Sequence, residues 1–169
     1  MNGGPHNALI YLAIDLVGGV EKAKEILKKL SEVGEIAAIS SVYKRFLTPE
    51  QKDISARIEF VVRLETARNV DQVLHLILSF CQDGQPGLNR QSFAELTLLA
   101  FDDLILMSPK LTLPHPQMHQ DPLIIRAAAE AWGQYAHPIY EKNLSELSKN
   151  AAPAKQAEFY MQGKSLVDF

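Results

Sequence analysis

The sequence predicts an α+β protein, a sheet with helices laid on it, because two periodicities alternate along the chain. Apolar runs of strand length, rich in β-branched and aromatic residues, are separated by stretches with apolar residues at three- and four-residue spacing, and Gly, Pro and Asp clusters mark the joins. With 169 residues, 47% of them hydrophobic, the chain has material for one core, so residues 1–169 are expected to form a single domain.

Ala8 to Ile14 reads as a buried strand, closed by Gly18-Gly19. From Val20 the spacing becomes helical: Val20, Ala23, Ile26, Leu27 and Leu30 form one face, and Glu21, Lys22, Lys24, Glu25, Lys28 and Lys29 the other. Ile36 to Tyr43 reads as a second strand. Arg57 to Thr66 reads as a third, in which Ile58, Phe60, Val62 and Leu64 alternate with Arg57, Glu59, Val61 and Arg63, so one face is expected to be buried. Lys44 to Ala56, polar and containing Pro49, is long enough to be a functional loop.

Asn69 with Gln72 has the form of a capping box, opening a helix whose stripe is Val73, Leu74, Ile77, Leu78 and Cys81. Asp83-Gly84-Gln85-Pro86-Gly87 ends that helix and starts a flexible stretch to about Glu95. Leu96 to Leu106 returns to strand character, with Asp102-Asp103 inside it. Asp121-Pro122 is a helix start and Gly133 its stop. The resulting order is that of a ferredoxin-like βαββαβ sandwich, helices on one face of a mainly antiparallel sheet, followed by a C-terminal helical extension.

A net charge of −3 offers no basic field for phosphates, so nucleic acid is not an expected partner. The single cysteine, Cys81, excludes an internal disulfide framework. The longest apolar runs are broken by Asp15, Arg63 and Asp102-Asp103, and Met1 to His6 has no basic lead into an apolar segment. A cytoplasmic protein without a membrane partner is expected.

The stretch Leu111-Thr112-Leu113-Pro114-His115-Pro116-Gln117-Met118, placed after Asp102-Asp103-Leu104-Ile105-Leu106, resembles the end of the active site of hydroxymethyldihydropterin pyrophosphokinase. Ala13-Ile14, Ile39-Ser40-Ser41-Val42-Tyr43 and Val62-x-Leu64-Glu65-Thr66 extend the resemblance over about Ala8 to Pro138, a core of residues 8–138, with a C-terminal helix and tail at 139–169. The resemblance implies diphosphate transfer from ATP to 6-hydroxymethyl-7,8-dihydropterin, with Mg²⁺ as cofactor and ATP and a pterin as partners.

The family holds Mg²⁺ with an Asp-x-Asp pair on one strand face. Here the candidates Asp102 and Asp103 are neighbours, and Ala100 or Phe101 occupies the other position, so only weak Mg²⁺ binding is expected. For ATP the resemblance leaves His115 and Arg90, the latter alone in an arginine-rich loop, and Asp121 stands where an arginine is expected. On the pterin side it points to Glu59, Leu123 and Phe46, while Asp15-Leu16-Val17 replaces a Gly-Ser-Asn turn. Weak or absent transfer is therefore expected. The alternatives are a non-catalytic module for a pterin or nucleotide, or a scaffold whose sheet edge or tail binds protein; a homo-oligomer is left open.

Overall fold

The computed structural model describes residues 4–52, 55–82 and 94–167, apart from the side chains of Cys81 and Gln82. The Cys81 side chain and Arg90 thus lie outside the described residues. β1 (His6–Asp15) is an interior strand of the sheet, paired along both edges. From Ala8 to Ile14 no residue is more than 4% exposed, as an unbroken apolar run requires when both faces are covered. The chain turns at Gly18 with φ 72°, open to a residue without Cβ. α1 (Gly19–Ser31) then buries Ala23, Ile26, Leu27 and Leu30.

The second expected strand is two: β2 (Glu35–Ile39) and β3 (Val42–Arg45). Ser40 and Ser41 interrupt the ladder because serine offers backbone groups other partners. The Ser40 hydroxyl accepts from the Val61 N–H at 2.9 Å, and the Ser41 N–H donates to Glu130 at 2.8 Å. Both pieces pair antiparallel with β4 (Arg57–Thr66), as expected. β4 departs from expectation in burying both faces, since Glu59 is 1% exposed and Val61 is fully buried beside the Ile58, Phe60, Val62 and Leu64 series.

The capping box is present. The Asn69 N–H donates to Gln72 Oε1 and the Gln72 N–H to Asn69 Oδ1, both at 2.9 Å, at the start of α2 (Val70–Gln82). β5 (Ala94–Phe101) pairs with the other edge of β1 and stops short of the aspartates. Asp102 has φ 48°, a left-handed conformation that aspartate tolerates better than most residues, and the strand turns there. β6 (Leu106–Met107) and β7 (Thr112–Leu113) form a separate small hairpin, followed by α3 (Gln117–Gln120) and α4 (Pro122–Trp132). Asp121 caps α4, accepting from the Leu123 N–H at 2.9 Å, and Gly133 closes it.

The C-terminal extension holds α5 (Leu144–Lys149) and, unforeseen, a strand, β8 (Ala157–Met161), which pairs with β3. The sheet runs β5-β1-β4-β3-β8 with β2 also on β4, and each pairing is antiparallel. Helices cover both faces, which corrects the one-face expectation. Ile10, Leu12 and Ile14 pack with α1 and α2, whereas Leu9, Tyr11 and Ala13 pack with α4. Alternation along a strand with both sides apolar demands two covers. Among the described residues no helix is long and apolar enough to cross a membrane.

Candidate functional site

On the α4 side of the sheet, towards the end of β1, Ala13 lies between Glu59 of β4 and Glu95 of β5. Tyr11, two residues earlier, lies between Val61 and Thr97. Alternation places Tyr11, Ala13, Glu59, Glu95 and Thr97 on one face.

Acidic and basic groups alternate across this floor. Arg57 spans its two glutamates, with Nη1 3.2 Å from Glu95 Oε2 and Nη2 3.5 Å from Glu59 Oε2. Arg45, the last residue of β3, meets Glu59 from the other side: its Nε donates to Oε2 at 2.7 Å and its Nη2 to Oε1 at 3.0 Å. The same Nη2 lies 3.0 Å from both oxygens of Asp121. The Tyr11 hydroxyl donates to Glu59 Oε1. Burial, then the Glu59 charge, pushes the Tyr11 pKa far above its ordinary value. Burial alone would lower the Arg45 pKa, but hydrogen bonds and charge from Glu59 and Asp121 raise it, so the guanidinium is locked in its charged form. A buried carboxylate is tolerated only when so satisfied.

Two clefts flank the segment 115–121. One, of about 530 Å³, is walled by Arg45, Gln117, Gln120, Asp121, Leu123 and the tail residue Lys155. The other, of about 370 Å³, lies against α2 and β5, with Leu78, Leu98 and Leu111 beside Thr97, Lys110 and His115 on its walls. The His115 N–H is anchored to the Leu99 carbonyl at 2.8 Å, and its Nδ1 accepts from the Gln117 N–H at 3.2 Å. In that arrangement Nε2 carries the proton of the neutral ring, and burial lowers the His115 pKa.

The structure places Leu123 on the first cleft and Glu59 behind it, buried against Arg45, and places His115 in the second. Phe46 lines neither; its N–H donates to the Gln156 carbonyl at 3.0 Å. Asp102 and Asp103 sit at the far end of the sheet. The Asp102 N–H bonds the Asn7 carbonyl, and from Asn7 to Ala13 is six residues of strand, roughly 20 Å. The Asp102 carboxylate accepts from the Asn7 N–H at 2.8 Å and from His6 Nδ1 at 2.6 Å, while Asp103 is exposed. Among the described residues no group of three or more His, Cys, Asp or Glu side chains could hold a metal ion.

Five residues of this site escape the sequence reading: Tyr11, Arg45, Arg57, Glu95 and Thr97. Glu95 and Thr97 carried a signal, since they are spaced i, i+2 at the head of β5 and so share a face. Arg45 carried none, because the loop that follows it hides its partners.

No protein-family model and no curated protein matches the sequence. Solved structures of Plasmodium falciparum HPPK-DHPS do match the fold. The wild-type enzyme superposes with a TM-score of 0.70 at 11% identity, over 94% of this chain and 48% of that one. Its complex with pterin and p-hydroxybenzoate gives 0.66 at 9% identity, over 88% and 42%, and that with SDX-DHP gives 0.65 at 11%, over 88% and 44%. The chain thus spans less than half the length of these structures, and at such identities what it shares with them is the HPPK-like α+β fold.

Proposed function

We propose that the chain is a single-domain, hydroxymethyldihydropterin pyrophosphokinase-like protein, ferredoxin-like in its βαββαβ interleaving, in which transfer of diphosphate from ATP to 6-hydroxymethyl-7,8-dihydropterin is feeble or absent. One observation carries this reading: the cations and carboxylates of the sheet floor satisfy one another. Phosphoryl transfer relies on positioned cations facing the phosphates. Here Arg45 and Arg57 are held by Glu59, Asp121 and Glu95. Losing such stabilisers typically costs a factor of a hundred or more each.

The donors do not fit Mg²⁺ either. Glu95 is the one carboxylate of its i, i+2 pair, Thr97 being the other member, and Arg57 already contacts it. Asp102 is engaged by His6 and Asn7. What remains is the slot beside His115, where leucine walls alongside Thr97 and the His115 ring suit a heteroaromatic base.

With ATP, Mg²⁺ and the hydroxymethyldihydropterin, AMP release is expected far below the usual enzymatic range of about 1–10³ s⁻¹. In calorimetric titrations ATP and adenosine should bind with similar affinity, with or without Mg²⁺, and His115→Ala should weaken both. Steady AMP release within the enzymatic range, or binding of ATP that requires Mg²⁺, would overturn the proposal.

A further inference from the structure

The Arg45–Glu59 contact is unlike an ordinary surface ion pair. Glu59 is 1% exposed, fixed from behind by the Tyr11 hydroxyl, and turns both oxygens to Arg45. The guanidinium lays two N–H groups, Nε and Nη2, along that carboxylate and reaches Asp121 with the second. Its side chain is 29% exposed and forms part of the wall of the larger cleft. Thus an acidic fork of Glu59 and Asp121 lies behind Arg45 at the cleft wall, and the group filling it belongs to the protein, with Arg57 Nη2 standing farther off, 3.5 Å from Glu59 Oε2.

We infer that Glu59 and Asp121 form a seat for a planar cation, that Arg45 is its built-in occupant, and that Arg45 therefore decides what the cleft admits. A carboxylate with two oxygens presented side by side recognises two parallel N–H donors on a planar group, as in a guanidinium, an amidinium or a 2-amino-heterocycle. It recognises a tetrahedral ammonium less well and repels phosphate. Arg45 stands at the end of β3. The seat is closed to such ligands while Arg45 fills it and opens when that side chain is removed. This deepens, and rests on, the reading of the cleft as one whose polar floor is self-satisfied.

The test uses the full chain as wild type, Arg45→Ala and Arg45→Ala with Glu59→Gln, titrated calorimetrically with ethylguanidinium chloride and, as a control for charge and ionic strength, ethylammonium chloride. Ethylguanidinium should bind Arg45→Ala at least tenfold more tightly than ethylammonium does, and at least tenfold more tightly than it binds either the wild type or the double variant. If Arg45→Ala does not fold alone, its folding in ethylguanidinium but not in ethylammonium supports the same conclusion; failure in both overturns it. Equal binding by all three proteins, or by both cations, also overturns it. Diphosphate transfer by the wild type would defeat the functional proposal above yet leave a guanidinium-selective seat standing.

Discussion

Asp121 and Arg45 tie the start of α4 to the end of β3: the carboxylate that caps the helix, accepting from the Leu123 N–H at 2.9 Å, also receives Nη2 of Arg45 at 3.0 Å. The sequence alone suggests that an arginine at 121 would improve nucleotide binding by restoring a missing cation. The geometry predicts otherwise. Asp121→Arg removes a cap worth about 1 kcal/mol and sets a second guanidinium against the first. Denaturant titration should show a loss of roughly 2 kcal/mol or more, since breaking one side of a largely buried pair adds to the lost cap. ATP affinity should not rise.

His137 predicts a pH dependence. It is buried, its Nδ1 accepts from the Ile139 N–H at 3.2 Å, and its ring lies edge-on to His119 at 5.9 Å. Burial, and then the charge of His119, lowers its pKa from 6.5 to about 4. The folded protein therefore keeps this ring neutral while the unfolded chain takes up a proton as pH falls below 6.5. Stability from this residue is whole above that pH and declines towards pH 4, by roughly 1.4 kcal/mol per unit within the window. Unfolding midpoints at pH 7, 6, 5 and 4.5 should fall more steeply for the wild type than for His137→Gln. Parallel curves would assign the acid sensitivity to other groups.

Gly163 predicts how the tail is held. A Cβ there would overlap the Ser40 carbonyl oxygen and press on Ile39, just where the chain leaves β8 for the fully buried Leu166. Gly163→Ala should cost about 1–3 kcal/mol, the usual cost of forcing extra volume into a packed contact. Limited proteolysis should then cut the chain between α5 and β8 faster than in the wild type.

Asp102 predicts a separation of stability from binding. Asp102→Ala removes acceptors for the Asn7 N–H and His6 and strains a left-handed backbone. A loss of about 1–3 kcal/mol is expected, and less for Asp102→Gly, which accepts the same φ without strain. Adenosine binding in the His115 cleft should be unchanged in both. A selective loss of Mg²⁺-dependent ATP binding would restore the metal role that its position in the sequence suggests.

Much of the fold could be read along the chain because period and punctuation agree there: the Ala8–Ile14 run, the α1 stripe, the Asn69–Gln72 box and the Asp121 cap are local signals with local causes. The site was less legible, because it depends on where strands meet. β5 carries a bulge opposite Leu9 and Ile10, so Leu98 pairs with Ile10 and Ala100 with Leu9. Leu99 is the additional residue, and its carbonyl receives the His115 N–H. Counting back by twos from Asp102 therefore changes face at Leu99 and misses Glu95. Glu59 looked like a solvent position because its burial depends on α4, some sixty residues further along, and on Arg45, whose partners no periodicity reveals. β8 was missed because five residues of mixed character after an Ala/Lys-rich stretch make a strand only when β3 offers a free edge.

The placement of β1 has a consequence for how the molecule comes apart. Both of its edges are paired and both of its faces are covered, so a local fluctuation that frees its backbone must lift β4, β5, or a helical layer at the same time. Its amide hydrogens have no private route to solvent. Exchange with deuterium from Ala8 to Ile14 should proceed only through global unfolding and report the whole protein's free energy, while the outer strand β8 exchanges early.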